Sequence, residues 1–383
     1  MNLKITHIGA FLLIPFCSVI SHTILPLPPT VMLFVISSIF LLYLISRNNY
    51  RVNCLNRFSA IPIFFSVYLF LSQIILEVDL RAIVSPCLAP LYFVITLLYL
   101  NYIDEKYISK FVKLFIYISL FVFIVECFWR LGHPKLPEGM DEINIEGRSR
   151  WIYWFKGPGL MYVETNGLAI HLVIVYFFTL WWSSLKKQRM FLVKFGFVIL
   201  IILTFSRAAL ISVPIGWCYK YYFSKLTRNK KLAIFCFLLF LAMVLMPFVV
   251  VMLQEDPSSA EKIDVFVKIW EYYKHIDLLS LLYGIGNYNS KTAFGIYAHN
   301  YLLVFLVEMG VLGLFLLLSQ FYVFIKASKG QFLFVFIPFF VQIMSSTIIF
   351  IPHFYMIAAI MIYYAGYNKK DELASVKKMS VCV

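Results

Sequence analysis

The chain has 383 residues, 62% of them hydrophobic, 19% aromatic and only 14% charged, with a formal charge of +14. Soluble domains carry about 45–50% apolar residues, so a soluble globule is excluded; it would have too little polar surface to show to water. The basic excess does not describe a nucleic-acid binder, because the lysines and arginines form short clusters between apolar runs instead of one patch.

Those runs are about 20 residues long, enough to cross roughly 30 Å of hydrocarbon as a helix. Hydrocarbon offers the backbone no partners, so each run must satisfy its own N–H and C=O groups as a helix. In chain order they predict spans near 7–25, 29–46, 58–76, 82–100, 111–129, 161–183, 190–206, 208–223, 232–253, 300–325, 331–350 and 351–367. The expected architecture is all-α, a single integral membrane domain over 1–383 with twelve spans and both termini cytoplasmic. In that orientation most of the 33 basic residues fall inside, among them Arg47, Arg51 and Arg57, Lys186, Lys187 and Arg189, and Lys220, Lys225 and Lys230. That is the side positive charge prefers. The first run follows a nearly uncharged start and precedes many others, and is read as a retained span.

Two boundaries rest on argument. One helix over 190–223 would be about 51 Å long, far more than the membrane needs. It would also strand Arg207 in hydrocarbon, where a charge costs about 2.5–3.5 kcal/mol on insertion scales. Two short spans with Ser206-Arg207 at the outer turn resolve both difficulties. Ile351-Pro352-His353 divides 331–367 in the same way, since proline interrupts a helix.

Two outer loops, about 130–160 and 254–299, stand out in length, and long ordered loops in compact bundles usually carry function. The seven cysteines fall mostly within or near apolar runs and suggest no disulfide framework or CxxC metal site. Glu77-Val78-Asp79 is a lone acidic pair beside Arg81, and the chain holds no HExxH, DxD or P-loop pattern, so metal chemistry is not expected.

The chemistry-bearing segments are ordered along the second half. They are Gly157-Pro158-Gly159 and Asn166-Gly167-Leu168-Ala169; then Leu203-Thr204-Phe205-Ser206-Arg207-Ala208-Ala209; then Tyr283-Gly284-Ile285-Gly286-Asn287. Ala298-His299-Asn300-Tyr301-Leu302 and Glu308-Met309-Gly310-Val311-Leu312-Gly313 complete the set. The set resembles the O-antigen polymerase and ligase superfamily of bacterial surface-polysaccharide assembly. The motifs cover roughly 155–320, and length and topology extend the likeness to the whole chain.

The resemblance implies a glycosyltransferase-C-like helical bundle in the bacterial inner membrane, with the two longer loops periplasmic. It also implies glycosyl transfer from undecaprenyl-diphosphate-linked oligosaccharides at the periplasmic face, metal-independent and without a cofactor. The expected product is O-antigen polymer, each growing chain passing from its lipid diphosphate onto a lipid-linked repeat unit. The alternative is a ligase moving polymer to lipid A–core. An alternative of another class, a lipid-linked sugar flippase or transporter, would favour charges through several span centres and corresponding halves. Expected partners are the lipid-linked donor and acceptor, membrane lipids and a polysaccharide chain-length regulator; no nucleic acid is expected.

Arg207 offers a guanidinium fork for a diphosphate, although an interfacial anchor would look the same. His299 has an unperturbed pKa near neutrality and suits a general base, and it also suits a polar helix start. Asn300 beside it is placed to orient an acceptor. Arg148, Arg150, Trp151, Trp154 and Lys156 alternate cation and aromatic, a pattern that fits sugars and phosphates and equally an aromatic belt. Glu164 and His171 share a face if their helix begins early.

Glu308 lies within a span, faces the interior and needs a partner, which favours structural support. Gly310 and Gly313 read as close-packing positions. The later loop has no arginine; related proteins often carry one before its tryptophan, where this chain has Lys262 and Lys268 ahead of Trp270.

Overall fold

A computed structural model describes residues 2–19, 28–48, 57–76, 80–136, 153–162, 165–222, 225–227, 229–230, 257–295, 300–344 and 350–379. Among them the chain is all-helical with no strand. The helices are α1 (Asn2–Leu13), α2 (Pro29–Asn48), α3 (Arg57–Ile75), α4 (Leu80–Tyr102), α5 (Glu105–Gly132), α6 (Thr165–Leu185) and α7 (Phe191–Leu203). They continue as α8 (Arg207–Tyr221), α9 (Pro257–Lys274), α10 (Leu278–Tyr283), α11 (Ser290–Phe294), α12 (Tyr301–Ala327), α13 (Leu333–Ile343) and α14 (Pro352–Met379).

Among the described residues, five helices are long and apolar enough to cross a membrane: α2, α3, α5, α6 and α12. The protein is a helical membrane protein. Several other predicted spans are shorter than expected. The helix expected over 7–25 stops at Leu13 and passes into turns, and α13 covers only 11 residues of the expected 331–350. The predicted span at 232–253 lies outside the described residues. The charge argument for 190–223 matches the structure: α7 ends at Leu203, α8 starts at Arg207, and Thr204-Phe205-Ser206 turns between them. Likewise α14 begins at Pro352, where the missing N–H is harmless.

The segment expected as the later outer loop differs from a plain loop. Residues 257–294 form three helices, because Asp277 caps α10 by accepting from the Ser280 N–H at 2.8 Å and α9 carries an apolar face.

Helix α6 is the centre, its side chains buried almost from end to end against α5, α7, α8 and α13. Helix α4 organises the other half, packing on α1, α2, α3 and α14. Lipid is as apolar as a leucine side chain, so association here relies on packing and hydrogen bonds between helices. Tyr99 Oη donates to the Ser37 carbonyl at 2.6 Å, and Ser37 Oγ donates to the Gly9 carbonyl at 3.1 Å, tying α4, α2 and α1 together.

The bundle has two distinct ends. At one, Lys186 pairs with Glu105, Lys220 Nζ donates to Ser184 Oγ at 3.3 Å, and Trp181 Nε1 donates to Gln331 Oε1 at 3.0 Å. This end gathers the start of α5, the ends of α6 and α8, and the α12–α13 turn, with their lysines. The motif segments gather at the other.

Candidate functional site

The turn before α8 is held by a polar knot. Ser206 Oγ donates to Asn166 Oδ1 at 3.0 Å and accepts from Gln342 Nε2 at 3.2 Å. Three helices, α6, α8 and α13, are therefore pinned at one buried hydroxyl. Phe205 adopts a left-handed φ of 52°, uncommon for an aromatic residue, and its ring lies 6.1 Å from that of Phe155. Arg207 follows as the first residue of α8 and is exposed. A cation at a helix N-terminus opposes the helix dipole, so this position adds to a local positive field suited to an anion.

Phe155 brings the segment before α6 to this turn. That segment is fastened by a buried ion pair that the sequence reading did not single out. Arg130 Nε donates to Glu126 Oε1 at 2.9 Å, while its other nitrogens donate to the carbonyls of Gly157 at 2.5 Å and Tyr162 at 2.6 Å. Glu126 Oε2 accepts from the Met161 N–H at 2.8 Å. Gly159 is needed because a Cβ there would sit 1.9 Å from Glu126 Oε1. Gly157-Pro158-Gly159 is thus the strap over a charged clamp. Trp154 and Lys156 lie on this strap, half-buried; the Trp154 carbonyl accepts from the Lys135 N–H at 2.7 Å, and Lys156 Nζ stands 4.8 Å from the centre of the Tyr153 ring. Arg148, Arg150, Trp151 and Glu164 lie outside the described residues.

The later motifs meet at a break in α12. Gly310 has φ 65° and ψ −176°, a conformation essentially restricted to glycine, which interrupts the helical hydrogen bonds. The carbonyls set free are taken up from outside the helix. Ile285 N–H donates to the Val307 carbonyl at 3.0 Å, Gly286 N–H to that of Glu308 at 3.0 Å, and Tyr68 Oη to that of Met309 at 2.5 Å. A Cβ on Gly284 would lie 2.4 Å from the Glu308 backbone, and one on Gly310 would lie 2.3 Å from the Leu282 carbonyl. Gly310 is therefore a closely packed position, as expected, and in addition the break in α12, the notch into which the 282–286 backbone docks.

Glu308 is buried and faces the interior, as expected. Its Oε1 accepts from Ser290 Oγ at 2.5 Å, tying α12 to α11, while Oε2 has no side-chain partner among the described residues. This is structural use of a carboxylate. On the other side of the turn, Asn287 N–H donates to buried Gln73 Oε1 at 2.5 Å.

Asn300 caps α12, its Oδ1 accepting from the Leu303 N–H at 3.3 Å. Tyr301 beside it packs against Phe339 of α13, rings 6.4 Å apart, one turn from Gln342. The start of α12 and the Ser206 knot thus share α13. His299 lies outside the described residues, and Lys262 falls within α9, where only its backbone is described.

His171 meets His353, Nδ1 to Nε2 at 3.2 Å, with Tyr162 edge-on at 4.9 Å. This pair spans 182 residues and left no local trace in the sequence. Glu126 and Arg130 did leave one: they are four apart across the end of the apolar run at 111–129.

Comparison of the chain with protein-family models finds no match, and comparison with curated proteins finds none either.

Proposed function

We propose that the protein is a twelve-span inner-membrane glycosyltransferase, with both termini cytoplasmic, that polymerises a surface polysaccharide at the periplasmic face. The twelve spans would be α1 to α8, the apolar run at 232–253, and α12 to α14. The lysine-rich end of the bundle suits the cytoplasmic side, which leaves the motif end outside. The observation that carries the reading is the Ser206–Asn166–Gln342 knot. It fixes Arg207 at an exposed helix start beside the Phe155 strap and one α13 turn from the start of α12.

In this reading Arg207 binds the diphosphate of the donor, with the α8 N-terminus adding dipolar attraction. The hydroxyl oxygen of the incoming lipid-linked repeat attacks the anomeric carbon of the growing chain. The bond from that carbon to the diphosphate oxygen breaks, and undecaprenyl diphosphate leaves with the bonding electron pair. Neutral His299, next to the cap residue Asn300, takes the hydroxyl proton; such help is worth about 10²–10⁴ in rate. Trp154 and Lys156 on the strap, with Arg148, Arg150 and Trp151 ahead of it, supply aromatic faces and cations for the sugar–phosphate acceptor. No metal or cofactor enters the scheme, and a chain-length regulator would act from outside it.

The experiment is the surface lipopolysaccharide of a strain lacking the gene. A polymerase leaves core capped by a single repeat. Bare core with polymer kept on the lipid carrier would instead identify a ligase, and an unchanged ladder would reject both.

A further inference from the structure

The segment between α8 and α12 has an apolar side that no described residue of the protein covers. In α9, Val265 and Ile269 are buried against the rest of the chain, whereas Phe266, Val267 and Trp270 are exposed, Trp270 by 67%. With about 100° between successive residues, the apolar arc runs unbroken from Val265 through Ile269, Tyr273, Phe266 and Trp270 to Val267. Lys268 and Glu271 occupy the remaining arc. Between Val265 and Lys274, Lys274 is the charge whose position falls within the apolar arc, and it is drawn to Glu271 Oε1 at 2.6 Å. Helix α10 continues the apolar surface with Leu278 and Leu279, the former 71% exposed.

These residues adjoin a surface already committed to lipid. Tyr283, at the end of α10, stacks on Tyr68 of α3 with ring centres 6.4 Å apart and planes at 16°. The next turn is anchored by Gln73 of the same helix. Helix α3 is long enough to span the membrane, and Phe70, Leu71, Ile74 and Ile75 are exposed along its outer half. Tyr68 lies about 10 Å along the axis from the outer end of α3. A chain segment whose last ring stacks there has passed below that end. Irregular backbone is tolerated at such depth only when buried in protein, which is the condition of Gly284, Gly286 and Asn287.

We propose that residues 265–283 are seated in the outer leaflet: α9 lies in the membrane interface with Phe266 and Trp270 facing down, and α10 dips into the leaflet beside α3. The occupant of the exposed face is lipid, a choice favoured by its continuity with the lipid-facing side of α3. The division into aromatic and charged arcs supports it as well, being the pattern of helices lying in an interface. The segment would then form a floor of fixed depth next to the Gly310 notch. The proposal needs the membrane character of the bundle, takes its sidedness from the orientation proposed above, and does not depend on the polymerase reading.

The test uses the intact protein in vesicles of phosphatidylethanolamine and phosphatidylglycerol. A photoactivated diazirine on the lipid acyl chain and hydroxyl radicals generated in the water are applied to parallel samples, and labels are located by mass spectrometry. Seating in the leaflet predicts lipid label on Phe266, Trp270, Leu278 and Leu279 at several-fold the level of Lys268 and Glu271. It also predicts protection of the two aromatic residues from radicals. Radical oxidation of Phe266 and Trp270 without lipid label would overturn the proposal and make the segment an aqueous loop. Absence of both labels would also overturn it, showing that protein, such as a second copy of the chain, covers this face.

Discussion

Gly286 donates its backbone N–H to the carbonyl of Glu308 at 3.0 Å, and the carboxylate of Glu308 reaches on to Ser290, so a single residue of α12 holds both sides of the 284–290 turn. The glycine pair around Ile285 and the glycine that breaks α12 are two halves of one device. The break frees carbonyls, and the turn supplies the amides that a helix would have supplied.

That device predicts unequal costs for glycine substitutions. Gly310→Ala forces a side chain into a glycine-only conformation and within 2.3 Å of the Leu282 carbonyl. Gly295→Ala meets the same kind of strain, at φ 80°, with nothing within 4 Å. Strain alone costs about 1–3 kcal/mol. The thermal midpoint in detergent should fall clearly more for Gly310→Ala, and equal small shifts would show that the notch is not tight.

The clamp on the earlier strap predicts an asymmetry between single and double variants. Arg130→Met leaves the Glu126 carboxylate buried without its charge partner, a loss of about 3–5 kcal/mol. Arg130→Met combined with Glu126→Leu removes the stranded charge and should recover part of that stability, though not all, because the Gly157 and Tyr162 carbonyls lose their donor. Midpoints from thermal unfolding decide it. A double variant less stable than the single would contradict the clamp.

The sidedness of the α7–α8 turn is testable by reporter fusions. Alkaline phosphatase joined after residue 265 should be active, since the proposed topology puts that point outside, and joined after residue 227 it should be inactive. The reverse pattern would place Arg207 on the wrong side for a periplasmic reaction.

Arg207→Lys keeps the charge and loses the fork. A guanidinium binds diphosphate in two places, whereas an ammonium is a point charge, so polymer length or yield should drop sharply in a normally inserted protein. Full-length polymer from the lysine variant would leave Arg207 as an interfacial anchor.

What the sequence disclosed and what it concealed divide along physical lines. Helix breaks at Ser206-Arg207 and Pro352 were legible, because membrane energetics penalise a buried charge and proline cannot continue a helix. The helices of 257–294 were less so: α9 mixes charged and apolar residues and lacks a long apolar run. Gly310 and Gly313 look alike in sequence, and only the docked 284–287 turn separates a kink from a packing position. Glu126 and Arg130 stand four apart in the sequence but straddle the end of the run predicted over 111–129, one in the span and one at the start of the loop. His171 and His353 could be joined only by the folded chain. Within the candidate site, Asn300 and Glu308 have structural duties, as cap and tie, while the chemistry assigned to Arg207 and His299 remains for experiment.

The most direct test of the central claim is polymer formation by the purified protein in lipid vesicles, supplied with undecaprenyl-diphosphate-linked repeat units and a metal chelator. Products are resolved by gel for the natural chain and for His299→Asn, which keeps a capping side chain but not a base. The account predicts a ladder of lipid-linked polymer from the natural chain despite the chelator, and unreacted repeats from the variant. Unreacted repeats from a correctly folded natural chain, or an equal ladder from His299→Asn, would contradict it.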